Sequence, residues 1–107
     1  MMAAFLIQFS YTDKGTSGVL KEGGTKRRAV TEQAVKSVGG RLVAYYFAFG
    51  EYDGIALVDG LDNKDVASVN LAVAATGAVK TVTTVLLTPE EIDEATKKMV
   101  NYRPPGQ

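Results

Sequence analysis

The chain contains no cysteine, no histidine and no tryptophan. Without cysteine there is no disulfide, no thiol nucleophile and no thiolate metal ligand. Without histidine the commonest general base and the commonest transition-metal ligand are missing. Carboxylate, tyrosine, lysine, serine and threonine remain, a narrow vocabulary that favours a binding protein over an enzyme. Neither sign of charge prevails, with Lys plus Arg and Asp plus Glu at 12 each, so no long-range field draws nucleic acid or a membrane surface. No apolar run approaches the roughly 20 residues of a membrane span. The start, MMAAFLIQFS, has no basic leader region and its apolar run stops at Gln8, so it reads as a first strand. A cytoplasmic protein without cofactor or metal is the expectation.

What is present suits one folded domain. The 107 residues, 46% hydrophobic and 22% charged, support a single core. We place the domain over 1–100 and a tail over 101–107. Ala3 to Ser10 alternates Phe5, Ile7 and Phe9 with Leu6, Gln8 and Ser10, a strand with one greasier face. Gly15 and Gly18 weaken the next segment, leaving Thr16 to Lys21 as a short helical turn. From Thr25, read as an N-cap, Val30, Ala34 and Val38 share a helix face, and Gly39-Gly40 ends it.

Arg41 to Phe49 reads as a strand apolar on both sides, with Leu42, Ala44 and Tyr46 opposite Val43, Tyr45 and Phe47. Asp53 to Asp59 is a second strand without a polar face. Asp62 then caps a small-residue helix through Val66, Val69 and Val73 that closes at Gly77. Ala78 to Leu87 is a threonine-rich strand. In TPEEIDEATKKMV, Thr88, Pro89 and Glu91 spell a capping box, with Ile92, Ala95 and Met99 as the apolar stripe.

The order β-α-β-β-α-β plus a terminal helix is the ferredoxin-like α+β arrangement, a four-stranded antiparallel sheet with both core helices on one face. The other face should then alternate with polar residues, and the two middle strands do not. A second copy, sheet against sheet, is the economical cover, so a homodimer or higher homo-oligomer is expected. The terminal helix is a partial alternative.

Between the two apolar strands lies GEYDG. Asp53-Gly54 is a common hairpin pair and Gly50 permits a sharp exit, so a turn explains the stretch without any ligand. The functional reading sets Tyr52 and Asp53 at the mouth of a cavity between subunits. YYFAFGEYDGIALVDGLDN and AATGAVKTVTTVLLTPEE resemble the GYD-domain family, small bacterial and archaeal proteins named for the glycine, tyrosine and aspartate of this hairpin. The likeness runs from about Phe5 to Glu91, with Glu51 interposed so that the motif reads G-x-Y-D. It implies the dimeric α/β-barrel form of the ferredoxin-like fold and no established activity. GEYDGIALV followed by TGAVKTVTTVLL is also similar, more weakly, to the ligand-binding domain of leucine-responsive regulators. That likeness implies that Gly50, Tyr52, Asp53, Gly77 and Thr83 line a small-molecule site. The chain carries no helix-turn-helix beside it, and a nucleic-acid partner is not expected.

The strands themselves suggest a chamber. If Phe5, Ile7 and Phe9 meet the helices, Gln8 and Ser10 point between the sheets, joined by Tyr45 or Tyr46 according to register. Tyr46 is taken here as the ligand-facing member. The bland reading is that these groups bond one another or water. TKRRAV puts Arg28 at a helix N-terminus, a weak candidate to hold an anion, while a solvated face or a salt bridge is the more ordinary fate of such a charge. DGLDNKD lacks calcium-loop spacing. Three functions remain: a small-molecule binding or sensing oligomer, a cofactor-independent oxygenase or isomerase using Asp53 or Glu51 with a tyrosine, and a purely structural oligomer.

Overall fold

The computed structural model describes residues 3–107. Its elements are β1 (Ala3–Tyr11), α1 (Asp13–Glu22), α2 (Gly24–Ser37), β2 (Arg41–Phe47), β3 (Gly54–Leu61), α3 (Asn63–Ala75), β4 (Val79–Leu86) and α4 (Pro89–Thr96). The sheet order is β2-β3-β1-β4 with every neighbouring pair antiparallel, a ferredoxin-like α+β architecture.

Alternation along β1 decides the core. Phe5, Ile7 and Phe9 are buried, and their partners Val58, Ala56 and Gly54 on β3 lie on the same face. Val35 of α2, Val66 of α3 and Leu61 complete the cluster. Phe5 at 2% and Val58 at 0% exposure mark its centre. Gly54 cannot be replaced without displacement, because a Cβ there would strike the ring of Phe9 and lie 2.7 Å from the Tyr46 carbonyl oxygen.

Three local expectations are corrected. The segment after β1 is a full helix of 10 residues, α1, not a short turn. Thr12 caps it, and the lack of a Cβ at Gly15 lets the helix seat against the Ala78 carbonyl, so this glycine is spent on packing rather than on flexibility. The cap of α2 is Gly23 at φ 82° instead of Thr25. Gly23 closes α1 and opens α2 in one step, which leaves Thr25 inside the first turn. The buried face of α2 accordingly runs through Arg27, Thr31, Val35 and, as expected, Val38, with Val30 turned outward.

Strict alternation along β2 fails at a register shift between Leu42 and Ala44. The extra residue there resets the pleat. Leu42 and Tyr45 both pack on the core, while Ala44 and Tyr46 pair with Leu57 and Ile55 on the opposite face. The two caps expected from sequence alone are present as full capping boxes, Asp62 with Asp65 and Thr88 with Glu91. The apolar stripe expected on α4 does not pack: the helix has no buried residue, ends at Thr96 before Met99, and leaves Ile92 exposed. The chain is long for its size, 57 × 33 × 23 Å with a radius of gyration of 17.0 Å, against about 13 Å for a sphere-like domain of this length.

Candidate functional site

The sheet face away from the helices is set by the same register that builds the core. One row across it reads Tyr46, Ile55, Gln8, Val82, and the next reads Ala44, Leu57, Leu6, Thr84. No helix covers these rows. Tyr46 is 66% and Val82 48% exposed, so α4 does not shield them. The result is a largely apolar surface across four strands in which Gln8, Ser10, Thr84 and the Tyr46 hydroxyl are polar points, with Lys80 and the Arg41–Asp59 pair toward its ends.

The loop from Ala48 to Asp53 closes one end of this surface. Asp53 holds both peptide groups of Ser10: its backbone N–H donates to the Phe9 carbonyl at 2.8 Å, and its carboxylate accepts the Tyr11 N–H at 2.7 Å. The Ala48 N–H donates to the Asp53 carbonyl at 2.8 Å and shuts the loop. Asp53 is thus a clamp between the β2–β3 loop and β1. Tyr52 is half-buried beside it, Glu51 is exposed, and Gly50 turns at φ 149°. Gly54 opens β3, so Asp53-Gly54 forms the strand entrance and the loop tip lies earlier.

The other expected site residues lie elsewhere. Thr83 pairs with Ile7 and therefore faces the helices, where its hydroxyl accepts a hydrogen bond from Asn70 Nδ2 at 2.8 Å. Gly77 ends α3 at φ 73°, and its carbonyl accepts from the Thr12 hydroxyl at 2.9 Å. Arg28 is exposed in the second turn of α2, beside a shallow depression shared with Thr25, Tyr45 and Phe47. The structure thus brings Gln8, Ser10 and Tyr46 to one face with the Asp53 clamp at its edge. It separates them from Thr83 and Gly77.

A second concavity lies on the helix side. An inner chamber of about 70 Å³ sits between the sheet and helices α2 and α3, walled by Ile7, Val35, Val69 and Val73, with Tyr11, Arg27, Thr31 and Tyr45 among its polar lining. Tyr45 stacks on Phe9 at 5.4 Å and its hydroxyl lies 3.5 Å from that of Tyr11. Burial chiefly, then the Tyr11 hydrogen bond, pushes the Tyr45 phenol up from its ordinary range, with Thr31 and Arg27 pulling slightly the other way. Strict alternation set Tyr45 opposite Leu42, whereas the bulge brings both to the core face. One signal was legible: Arg27, Thr31 and Val35 recur at four-residue steps, which puts a guanidinium on the buried face of a helix.

An open antiparallel sheet with one helical layer, a bare apolar face and a clamped glycine-tyrosine-aspartate loop defines a small α+β domain of ferredoxin-like architecture. The GYD-domain model matches residues 5–96, and the chain belongs to that family. It is 32% identical over 82 residues to the glutamine synthetase and cystathionine beta-lyase binding protein of Thermus thermophilus, a match covering 77% of this chain and 85% of that protein. No solved structure matches significantly. These findings carry the GYD resemblance and not the weaker one to the leucine-responsive regulators. Among the described residues no helix is long and apolar enough to cross a membrane.

Proposed function

We propose that the protein is a homo-oligomeric binding or sensing module whose bare sheet faces pair and enclose a small polar ligand. The observation that carries this reading is the uncovered apolar face itself, with Leu6, Leu57, Ile55 and Val82 flanking Gln8, Ser10 and Tyr46. An exposed surface of this composition is a site of association. Pairing two such faces would bury the aliphatic side chains and leave the Gln8 amide and the Ser10 and Tyr46 hydroxyls to orient a ligand. The Asp53 clamp would fix the rim at which Tyr52 stands.

The enzyme alternative asks Asp53 or Glu51 to act as a base. Asp53 is engaged by the Tyr11 amide, and Glu51 is exposed on the loop. Binding is therefore the better-supported reading. The Thermus relative, described as a binding protein for two enzymes, supports a variant in which the assembled module also docks on another protein. The fully exposed Phe49 on the β2–β3 loop is the natural anchor for that contact.

Light scattering and native mass spectrometry of protein purified from its own host test the proposal together. A dimer or larger oligomer at micromolar concentration, dissociated by Leu57→Glu, is expected, with retained small-molecule mass in the unsubstituted protein. A monomer at that concentration would sink the paired-face reading, and an oligomer indifferent to Leu57→Glu would move the interface elsewhere.

A further inference from the structure

Two adjoining concavities lie on the helix side of the sheet. Outside the inner chamber lies a groove of about 330 Å³ between α1, α2 and the end of α3, and Tyr11, Arg27, Val73 and Val79 line both. Arg27 therefore stands at the throat. From these features we infer that this cleft binds a small aliphatic carboxylate, its head on Arg27 and its tail in the inner chamber.

Three observations carry the inference. The first is charge. Lys14, Glu22 and Arg27 are the charged residues of the outer groove, and no acid lines the inner chamber. Lys14 donates to the Thr76 carbonyl at 3.2 Å, which keeps one cation near the mouth. Arg27 meets Glu22 only at 3.6 Å, longer than a charge-assisted hydrogen bond, so its planar fork retains donors for an anion. Arg27 is nevertheless part-buried, with 25% side-chain exposure, on the face of α2 that meets the sheet. A guanidinium in such a place calls for a partner better than a loose surface pair.

The second observation is shape. The inner chamber of about 70 Å³ exceeds the roughly 10–15 Å³ that admits one water, and its wall is mainly apolar, with valine and isoleucine the commonest residues in it. Apolar walls of this kind favour an aliphatic tail over a cluster of waters. The third is the polar end. The Tyr11 and Tyr45 hydroxyls, 3.5 Å apart, together with Thr31, stand beside Arg27 and can complete the carboxylate's hydrogen bonds. A guanidinium fork binds phosphate as readily as carboxylate, and it is the apolar inner chamber that favours an anion carrying an aliphatic tail. The site lies on the opposite side of the sheet from Gln8, Ser10 and Tyr46, so it is independent of the paired-face proposal.

The test uses 3-methylbutanoate, acetate and uncharged 3-methylbutanamide as probes, followed by two-dimensional NMR of the full chain. Saturable shifts are expected at Arg27, Thr31 and Val73 with a dissociation constant on the order of 1 mM, reasonable for about seven non-hydrogen atoms. Acetate and the amide should each bind about tenfold more weakly, the first for want of a tail and the second for want of charge. Arg27→Gln should lower affinity for 3-methylbutanoate about tenfold, and the two ligand controls keep the test valid should that variant fold poorly. Equal binding of acid and amide, no gain from the tail, shifts confined to the bare sheet face, or no saturation would each overturn the inference.

Discussion

The two faces of the sheet are made from alternate residues of the same strands and meet opposite fates. Phe5 and Val58 disappear beneath α2 and α3, while Leu6 and Leu57, one step along, receive no helix. Their hydrophobicity is similar. The difference is cover, and cover depends on which way the connections run. A strand's own side chains cannot distinguish a face roofed by its own helices from one left for another molecule. The helix-covered face fixes the monomer; the bare face is free to serve association.

The largest contrast should appear on truncating both sides of one strand pair. Phe5→Ala is expected to cost about 3–5 kcal/mol in urea unfolding, because the ring lies at the centre of a filled core. Leu57→Ala should cost only about 1 kcal/mol in the dissociated chain and show a larger, concentration-dependent loss where copies pair. Equal, concentration-independent losses at the two positions would erase the distinction between faces. Gly54→Ala comes next, at about 1–3 kcal/mol, since the added methyl must push Phe9 or the Tyr46 backbone aside. An unchanged urea midpoint would mean that the β2–β3 entrance is far looser than its contacts indicate.

Asp53→Ala probes the seam between the faces. Losing the acceptor for the half-buried Tyr11 N–H should cost about 1–2 kcal/mol and raise hydrogen exchange at Tyr11 above that at Ile7. Uniform exchange would deny the clamp. The smallest effect is on acid stability. The Arg41 guanidinium holds Asp59 below the usual carboxylate range, and the Asp65 backbone N–H does the same for Asp62. Depressed folded values mean that this stability is present above about pH 4 and is lost as pH falls through them. Asp62→Asn should flatten the fall in urea midpoint between neutral and strongly acidic solution. An identical slope would remove Asp62 from the account.

Much of the fold was legible. The caps at Asp62 and Thr88 are local bonds between residues three apart, and such bonds can be read from spacing. The β1 face was legible because three aromatic or branched residues alternate without interruption. Local reasoning failed where a distant contact decided. Gly15 looked like a helix breaker until the Ala78 carbonyl gave its missing Cβ a purpose. The bulge after Leu42 put that residue on the same face as Tyr45 instead of Tyr46, and nothing within RLVAYYF marks it. Thr83 resembled Gln8 in chemistry, yet pairing register put the two on opposite faces.

The sequence by itself determined the strand order and the helices other than α1, the apolar excess of the middle strands and the glycine-tyrosine-aspartate loop, because periodicity and capping act over a few residues. Only the tertiary structure decided that Asp53 grips the two peptide groups around Ser10. It also decided that Arg27, which four-residue spacing sets on the buried face of α2, stands at the throat of a cleft. Both depend on β1, β3 and α2 meeting across long stretches of chain, where register and packing, and not local propensity, choose the neighbours.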